Sequence, residues 1–216
     1  MNTRRKGQNA KAGRTYDSTG RRARARQQHA AALDTAHALF LEQGYTATTV
    51  ESIALAAGVS AATIYKSYGG KAGLVRELCR RALEGAGRVP AEERSNALRA
   101  DVDPRRLIEG WGRLREEVSP RISPLLLLLR TAADADPDAA ALHEELDQAR
   151  LDRMADNARF LARAGHLRAG VTARDARDVL WLSSAPELYD LLVTRRGWSV
   201  AKYSRFATDT IITALL

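Results

Sequence analysis

Between Thr48 and Lys71 the chain reads TTVESIALAAGVSAATIYKSYGGK, two short helical patterns parted by a Gly-Val-Ser break, and no other stretch restricts the fold so tightly. In the first pattern Val50, Ile53, Ala54 and Ala57 recur at i, i+3, i+4 and i+7, which sets them on one stripe of a helix. Thr48 reads as its N-cap, with Glu51 three residues on completing a capping box, and Gly58 as its left-handed stop. Ser60 is positioned to cap the second helix, which runs through Tyr68 to the stop at Gly69 and Gly70.

On a 100° wheel Ala61, Ile64 and Tyr68 share the inward side of the second helix, whereas Ala62, Tyr65 and Lys66 cluster outward with Thr63 at the edge. Two short helices with a slim, polar, basic outer face on the second have the layout of a helix-turn-helix. Such a face enters the DNA major groove and sends Tyr, Lys and Thr to phosphates or base edges. A plain helical hairpin in a core is the alternative that the same pattern permits.

The similarity extends to both sides of the pair. Phe40, Gly44 and Tyr45 give Phe-x-x-x-Gly-Tyr ahead of it, Thr63-Ile64-Tyr65 lies in the second helix, and Lys71 and Leu74 give Lys-x-x-Leu after it. In these features residues 24–78 resemble the N-terminal DNA-binding domain of the TetR family of transcriptional regulators, with Ala62 and Tyr68 where that family often has Gly and Phe. The resemblance implies DNA-contacting roles for Thr48, Thr49, Ser60, Ala62, Thr63, Tyr65 and Lys66, with Tyr65 and Lys71 on phosphates, and for Arg21, Arg22 and Arg24 at the start of the first helix.

Charge separates the chain into unequal parts. The total is +8, from 34 basic and 26 acidic residues, and the first 28 residues hold nine of the basic ones against Asp17 alone, which leaves residues 29–216 neutral. Residues 1–21 are polar and include Arg4, Arg5, Lys6, Lys11 and Arg14; they cannot offset the entropy of ordering and are expected to form a disordered basic arm. Ahead of a DNA-binding helix such an arm can follow the backbone or enter the minor groove, though a passive leader has the same composition. No apolar stretch follows the charges, so a secretory signal is not expected.

The remaining length, 45% hydrophobic, suffices for a sizeable core and reads as helical throughout. Residues 22–43 form a first helix with Leu33, Ala36 and Phe40 inward and His37 beside them. Residues 85–104 read as a loop, and Asp103 caps a helix carrying Leu107, Trp111, Leu114 and Val118. Pro120 and Pro124 are expected to break that helix before Leu125–Leu129, whose five leucines suggest burial on all sides. Beyond Pro137 a long helix extends toward Gly165, with Leu142, Leu146 and Ala149 on one side and Met154, Ala158 and Leu161 nearly opposite. Thr172 to Ala185 is apolar on two faces, and Ser199 caps a last helix with Tyr203, Ala207 and Ile211.

The fold class is therefore all-α: a three-helix helix-turn-helix domain at 22–70 joined to a larger helical bundle at 71–216. In Leu180, Trp181, Leu182, Ser184, Glu187, Leu188, Tyr189, Asp190, Leu191 and Leu192, followed by Arg196, Gly197, Trp198 and Ser199, that bundle resembles actinobacterial-type TetR regulators. The resemblance implies a homodimer on a palindromic double-stranded operator, paired through the last helices at Trp181, Tyr203 and Ile211, and a small-molecule effector of unknown identity in the bundle. Trp111, Leu114, Leu128 and Met154 are candidates to line the effector pocket, and each fits plain core equally well.

A phosphate loop, a Gly-x-Ser-x-Gly elbow and metal-ligand spacing among His29, His37, His143 and His166 are all missing from the sequence, so neither an enzyme nor a metal or cofactor site is expected. Cys79 reads as a small buried hydrophobe in a cytoplasmic protein, and no run is long enough to span a membrane. A helical enzyme and a nonspecific DNA-coating protein are the alternatives to a regulator. The neutral C-terminal two-thirds speak against the coating protein, which would have no use for them.

Overall fold

The computed structural model describes residues 18–85 and 89–216, with side chains from residue 27 onward. Ten α-helices follow in order among the described residues: α1 (Ser18–Gln43), α2 (Val50–Ala57), α3 (Ala61–Tyr68), α4 (Lys71–Glu84), α5 (Ala91–Ala97), α6 (Pro104–Ala132), α7 (Pro137–Arg163), α8 (Ala173–Ser183), α9 (Pro186–Tyr189) and α10 (Val200–Leu215). A 3₁₀ turn (Leu98–Ala100) follows α5, and a π-helical segment (Asp190–Arg195) continues α9. Helix α1 starts at Ser18, so its backbone reaches into the last residues of the expected arm; Arg4 to Arg14 lie outside the described residues.

Apolar spacing sorts the helices around two core clusters. The first joins Phe40 of α1, Ile53 of α2, Ile64 of α3 and Leu74, Val75 and Leu78 of α4 to Leu125, Leu129 and Leu142 from the ends of α6 and α7. The second gathers Leu107, Ile108 and Trp111 of α6, Ala158 and Leu161 of α7, Leu180 of α8, and Ile211 and Leu215 of α10. Helix α7 serves both because its apolar side changes halfway, with Leu146 against the first cluster and Met154 against the second. Helix α4 shares its core with α1 to α3, so the core is continuous across position 70/71.

Three sequence expectations fail here. Residues 85–104 are not all loop, because α5 forms behind Pro90: Glu92 and Glu93 in its first turn suit the positive end of a helix, and the Trp111 indole N–H donates to the Ser95 carbonyl (3.4 Å). Helix α6 runs unbroken through Pro120 and Pro124, held at both ends by the two clusters. The leucine run is not buried on all sides: Leu125, Leu126 and Leu129 are buried, but Leu127 and Leu128 are half-exposed beside the α1–α2 turn.

Caps otherwise follow local chemistry. Asp103 accepts from the Arg105 amide with Pro104 opening α6, Asp136 accepts from Ala139 at the start of α7, Thr172 and Asp175 form a capping box for α8, and Ser199 accepts from Lys202.

Candidate nucleic-acid interface

The α2–turn–α3 unit is fixed by its own termini. Gly58 ends α2 at φ 66°, a left-handed conformation that L side chains seldom adopt, and the amide of Val59 folds back to the Ala54 carbonyl (3.0 Å). Ser60 then accepts from the Thr63 amide (3.1 Å) and shares a hydrogen bond with the Thr63 hydroxyl (2.8 Å). At the far end α4 approaches α3 so closely that a Cβ on Gly73 would lie 1.5 Å from the Tyr68 carbonyl oxygen. Only glycine permits that approach.

Helix α3 is pinned to α1 from its inner side. Ile64 is fully buried, the Tyr68 hydroxyl donates to the His29 carbonyl (3.1 Å), the two rings meet edge to face, and the Ser67 hydroxyl bonds the His29 ring nitrogen (3.1 Å). The opposite side faces solvent: Ala62, Lys66 and Tyr65, the last 51% exposed, with Thr63 half-buried at the border. Ser60 is exposed at the start of this face, and Thr49 is exposed at the start of α2. The structure thus brings Ser60, Ala62, Thr63, Tyr65 and Lys66 together on one rigidly backed surface.

Thr48 does not belong to it. It is 0% exposed, and its hydroxyl donates to the carbonyls of Gly44 (2.8 Å) and, less closely, Leu39 (3.3 Å). The true N-cap of α2 is Thr49, whose side chain accepts from the Ser52 amide (3.0 Å), while the Ser52 hydroxyl oxygen accepts from the Thr49 amide (3.2 Å). Ser52, not Glu51, completes the capping box.

Lys71 is committed inward. Its ammonium donates to the Tyr45 carbonyl (3.1 Å), sits 4.3 Å from the centre of the Tyr45 ring and lies 3.8 Å from the Asp136 carboxylate. Burial, and then the carboxylates of Asp136 and Asp138, push the Tyr45 phenol up to about 12. No local pattern marks Asp136 as the partner, because the pairing spans 65 positions and depends on how the α6–α7 turn docks. The side chains of Arg21, Arg22 and Arg24 lie outside the described residues.

A family model described as bacterial regulatory proteins, tetR family, matches residues 32–78. Over those residues the chain is similar to the TetR-family N-terminal domain. Solved TetR-family regulators share the overall fold. NalD, the secondary repressor of the MexAB-OprM multidrug efflux pump in Pseudomonas aeruginosa, superposes with a TM-score of 0.69 at 22% identity over 90% of this chain and 98% of NalD. SmeT, the repressor of the Stenotrophomonas maltophilia multidrug efflux pump SmeDEF, gives 0.60 at 18% identity over 86% of this chain and 88% of SmeT. In a SmeT–triclosan complex the score is 0.69 at 18% identity over 88% and 92% of the two chains. No curated protein matches the sequence.

Beyond the matched residues, the residues expected to form an effector pocket and a dimer seam are placed differently. Trp111, Leu114 and Met154 meet in the second core cluster, but Leu128 packs against the first. Because α6 is continuous, the 17 residues from Trp111 to Leu128 span about 25 Å, so the four cannot line one pocket. Tyr203 and Ile211, 1% and 0% exposed, face the core of their own chain and are not seam residues. Trp181 is half-buried beneath the Arg150 guanidinium, 4.7 Å from its ring centre. The outward faces of α8, α10 and the π-helical segment carry Leu182, Phe206 and Leu191 instead, with Trp198 edge-on to Phe206.

Proposed function

We propose that this chain is a ligand-responsive, DNA-binding transcriptional regulator, a repressor that binds a palindromic double-stranded operator as a homodimer in the cytoplasm and is released by a small molecule. The observation that carries the reading is the α3 surface: a slim, exposed face of Ala62, Thr63, Tyr65 and Lys66 on a helix whose other side is locked to α1 through Ile64 and Tyr68. A helix so backed can enter a groove without deforming. Ser60 at its start and Thr49 at the start of α2 supply hydroxyls and helix-end amides for phosphates, and the basic arm, together with Arg21, Arg22 and Arg24, follows the backbone next to it.

One such helix reads only a few base pairs, so recognition of a long site calls for two copies related by a twofold axis, about 34–36 Å apart along the duplex. Phe206 and Leu182 mark the surface through which α10 and α8 pair with a second copy, in keeping with the resemblance of this half to actinobacterial-type regulators. The folds of NalD and SmeT, repressors of multidrug efflux pumps, and the triclosan complex of SmeT support repression relieved by a small molecule.

Selection of duplexes from a randomised pool by the full chain tests this. A palindromic consensus is expected, and Lys66→Ala is expected to reduce discrimination against a scrambled duplex by about 1–3 kcal/mol if Lys66 reads a base edge. Enrichment of no sequence, with equal affinity for all duplexes, would favour the nonspecific coating protein.

A further inference from the structure

Ahead of α6 the chain crosses the outside of the bundle as a short strap, α5 followed by the 3₁₀ turn Leu98–Ala100. Little apolar surface holds it there. Of residues 91–100 only Ala91 and Ser95 are buried, and Val89 and Val102 on either side are 45% and 87% exposed. Leu98 is partly buried against the second core cluster, seated over Gly110 of α6, where a Cβ would lie 2.7 Å from one of its methyl carbons.

Charge supplies most of the fastening. Arg94 makes a two-point pair with Glu117 of α6 (2.8 and 2.9 Å). Arg99 pairs with Asp156 of α7 and donates to the Asn157 side chain (2.8 Å). From α7, Arg153 reaches back to the Ser95 hydroxyl (2.8 Å) and the Glu92 carboxylate (3.3 Å). Beneath them the Trp111 indole N–H donates to the Ser95 carbonyl, so the strap covers Trp111, itself 7% exposed.

The closed position carries opposing costs. The Nε groups of Arg94 and Arg99 are buried without a hydrogen-bond partner, and lifting the strap returns both to water. Arg99, Arg153 and Arg159 crowd around the one carboxylate of Asp156. Burial, and then the neighbouring charge of Arg99, push Arg153 down from the ordinary guanidinium value. Desolvated ion pairs recover little more than they cost, and pairs that keep an edge in water weaken as salt rises. Arg94 and Glu117 retain 30% and 24% of their side-chain surface, and Arg99 and Asp156 19% and 38%, so salt reaches both pairs.

We propose that residues 91–100 form an ionic-strength-sensitive strap, closed over Trp111 at low salt and released as one unit at high salt while α6, α7 and the helix-turn-helix stay folded. The inference stands apart from the regulator reading, since it involves neither DNA nor a ligand. Release gives water access to the Trp111 side of the second core cluster. It leaves the first cluster intact, because no residue of the strap belongs to that cluster.

Hydrogen–deuterium exchange of the full chain, read by mass spectrometry at 0.02, 0.15 and 1 M NaCl, tests this, with sucrose of matched osmolality as the control for water activity. Exchange of residues 91–100 is expected to quicken about tenfold from the lowest to the highest salt, the worth of a few half-exposed pairs, with α6 and α7 unchanged and no response to sucrose. In a chain carrying Trp181→Phe and Trp198→Phe, acrylamide quenching of Trp111 is expected to rise in step. Arg94→Met with Arg99→Met, which keeps the apolar stems and removes the charges, is expected to give fast exchange already at 0.02 M and to lose the salt response; protection of α6 and α7 in the same sample shows that its body is folded. Exchange of the strap that ignores salt would overturn the proposal. So would a salt response shared equally by α6 and α7, which marks loosening of the whole bundle, or one that persists in the double variant, which places the responsive charge elsewhere. Quenching of Trp111 that stays constant while strap exchange rises would overturn its cover by the strap.

Discussion

Thr48 shows how much a single hydroxyl can decide. It closes the corner between α1 and α2 by donating to two carbonyls of the preceding turn, out of reach of water. Thr48→Val keeps the shape and removes the donor; it is expected to lower stability by about 1 kcal/mol in a urea melt, with the affinity of the folded fraction for DNA unchanged. The neighbouring threonines are locally equivalent as caps, and what assigns them is a carbonyl nine residues back, a contact that exists only after α1 has turned. That is why the capping motif was legible in the sequence and its register was not. Cys79 was legible outright. It is buried beside α4's other core residues, and burial pushes its thiol from the ordinary 9.0 up to about 12. Because the folded value is the raised one, its contribution to stability is complete below pH 9.0 and is lost as pH climbs toward about 12, at up to about 1.4 kcal/mol per pH unit. Chemical denaturation at pH 8, 10 and 11, compared with Cys79→Ala, is expected to show a shallower alkaline loss in the variant.

Among the elements, the short ones were easiest to read, since α2 and α3 carry their start and stop signals within a few residues. The long ones misled. Pro120 and Pro124 signal a break by every local criterion, yet α6 spans 29 residues, because Leu107, Ile108 and Trp111 are buried at one end and Leu125 and Leu129 at the other. Two well-anchored ends outweigh a local cost of about 3 kcal/mol for a proline inside a helix. Pro120→Ala is therefore expected to raise the melting temperature, by about 1–3 kcal/mol of added stability, without altering helical content measured by circular dichroism. The π-helical segment left no trace in the sequence, since its signal is a hydrogen-bond register and not a residue type.

For the whole molecule, the division between surface and core separates two kinds of glutamate substitution. Phe206→Glu changes an exposed α10 residue and is expected to give folded monomers in sedimentation velocity. Ile211→Glu buries a charge in the second core cluster and is expected to unfold the chain. Monomers from the second and a dimer from the first would move the seam. Spacing alone could not sort these two, since both lie on apolar stripes of the same helix and only the packing of α6 against α10 shows which stripe is covered. The first core cluster has a consequence for anyone who would build hybrids from this chain. Leu125, Leu129 and Leu142, from the far ends of α6 and α7, form the floor on which α1 to α4 rest. Splicing the first 85 residues onto another protein's body would transplant a roof without its floor. The portable unit is discontinuous in sequence: the first four helices plus the α6–α7 hairpin tip, carried together as a single graft.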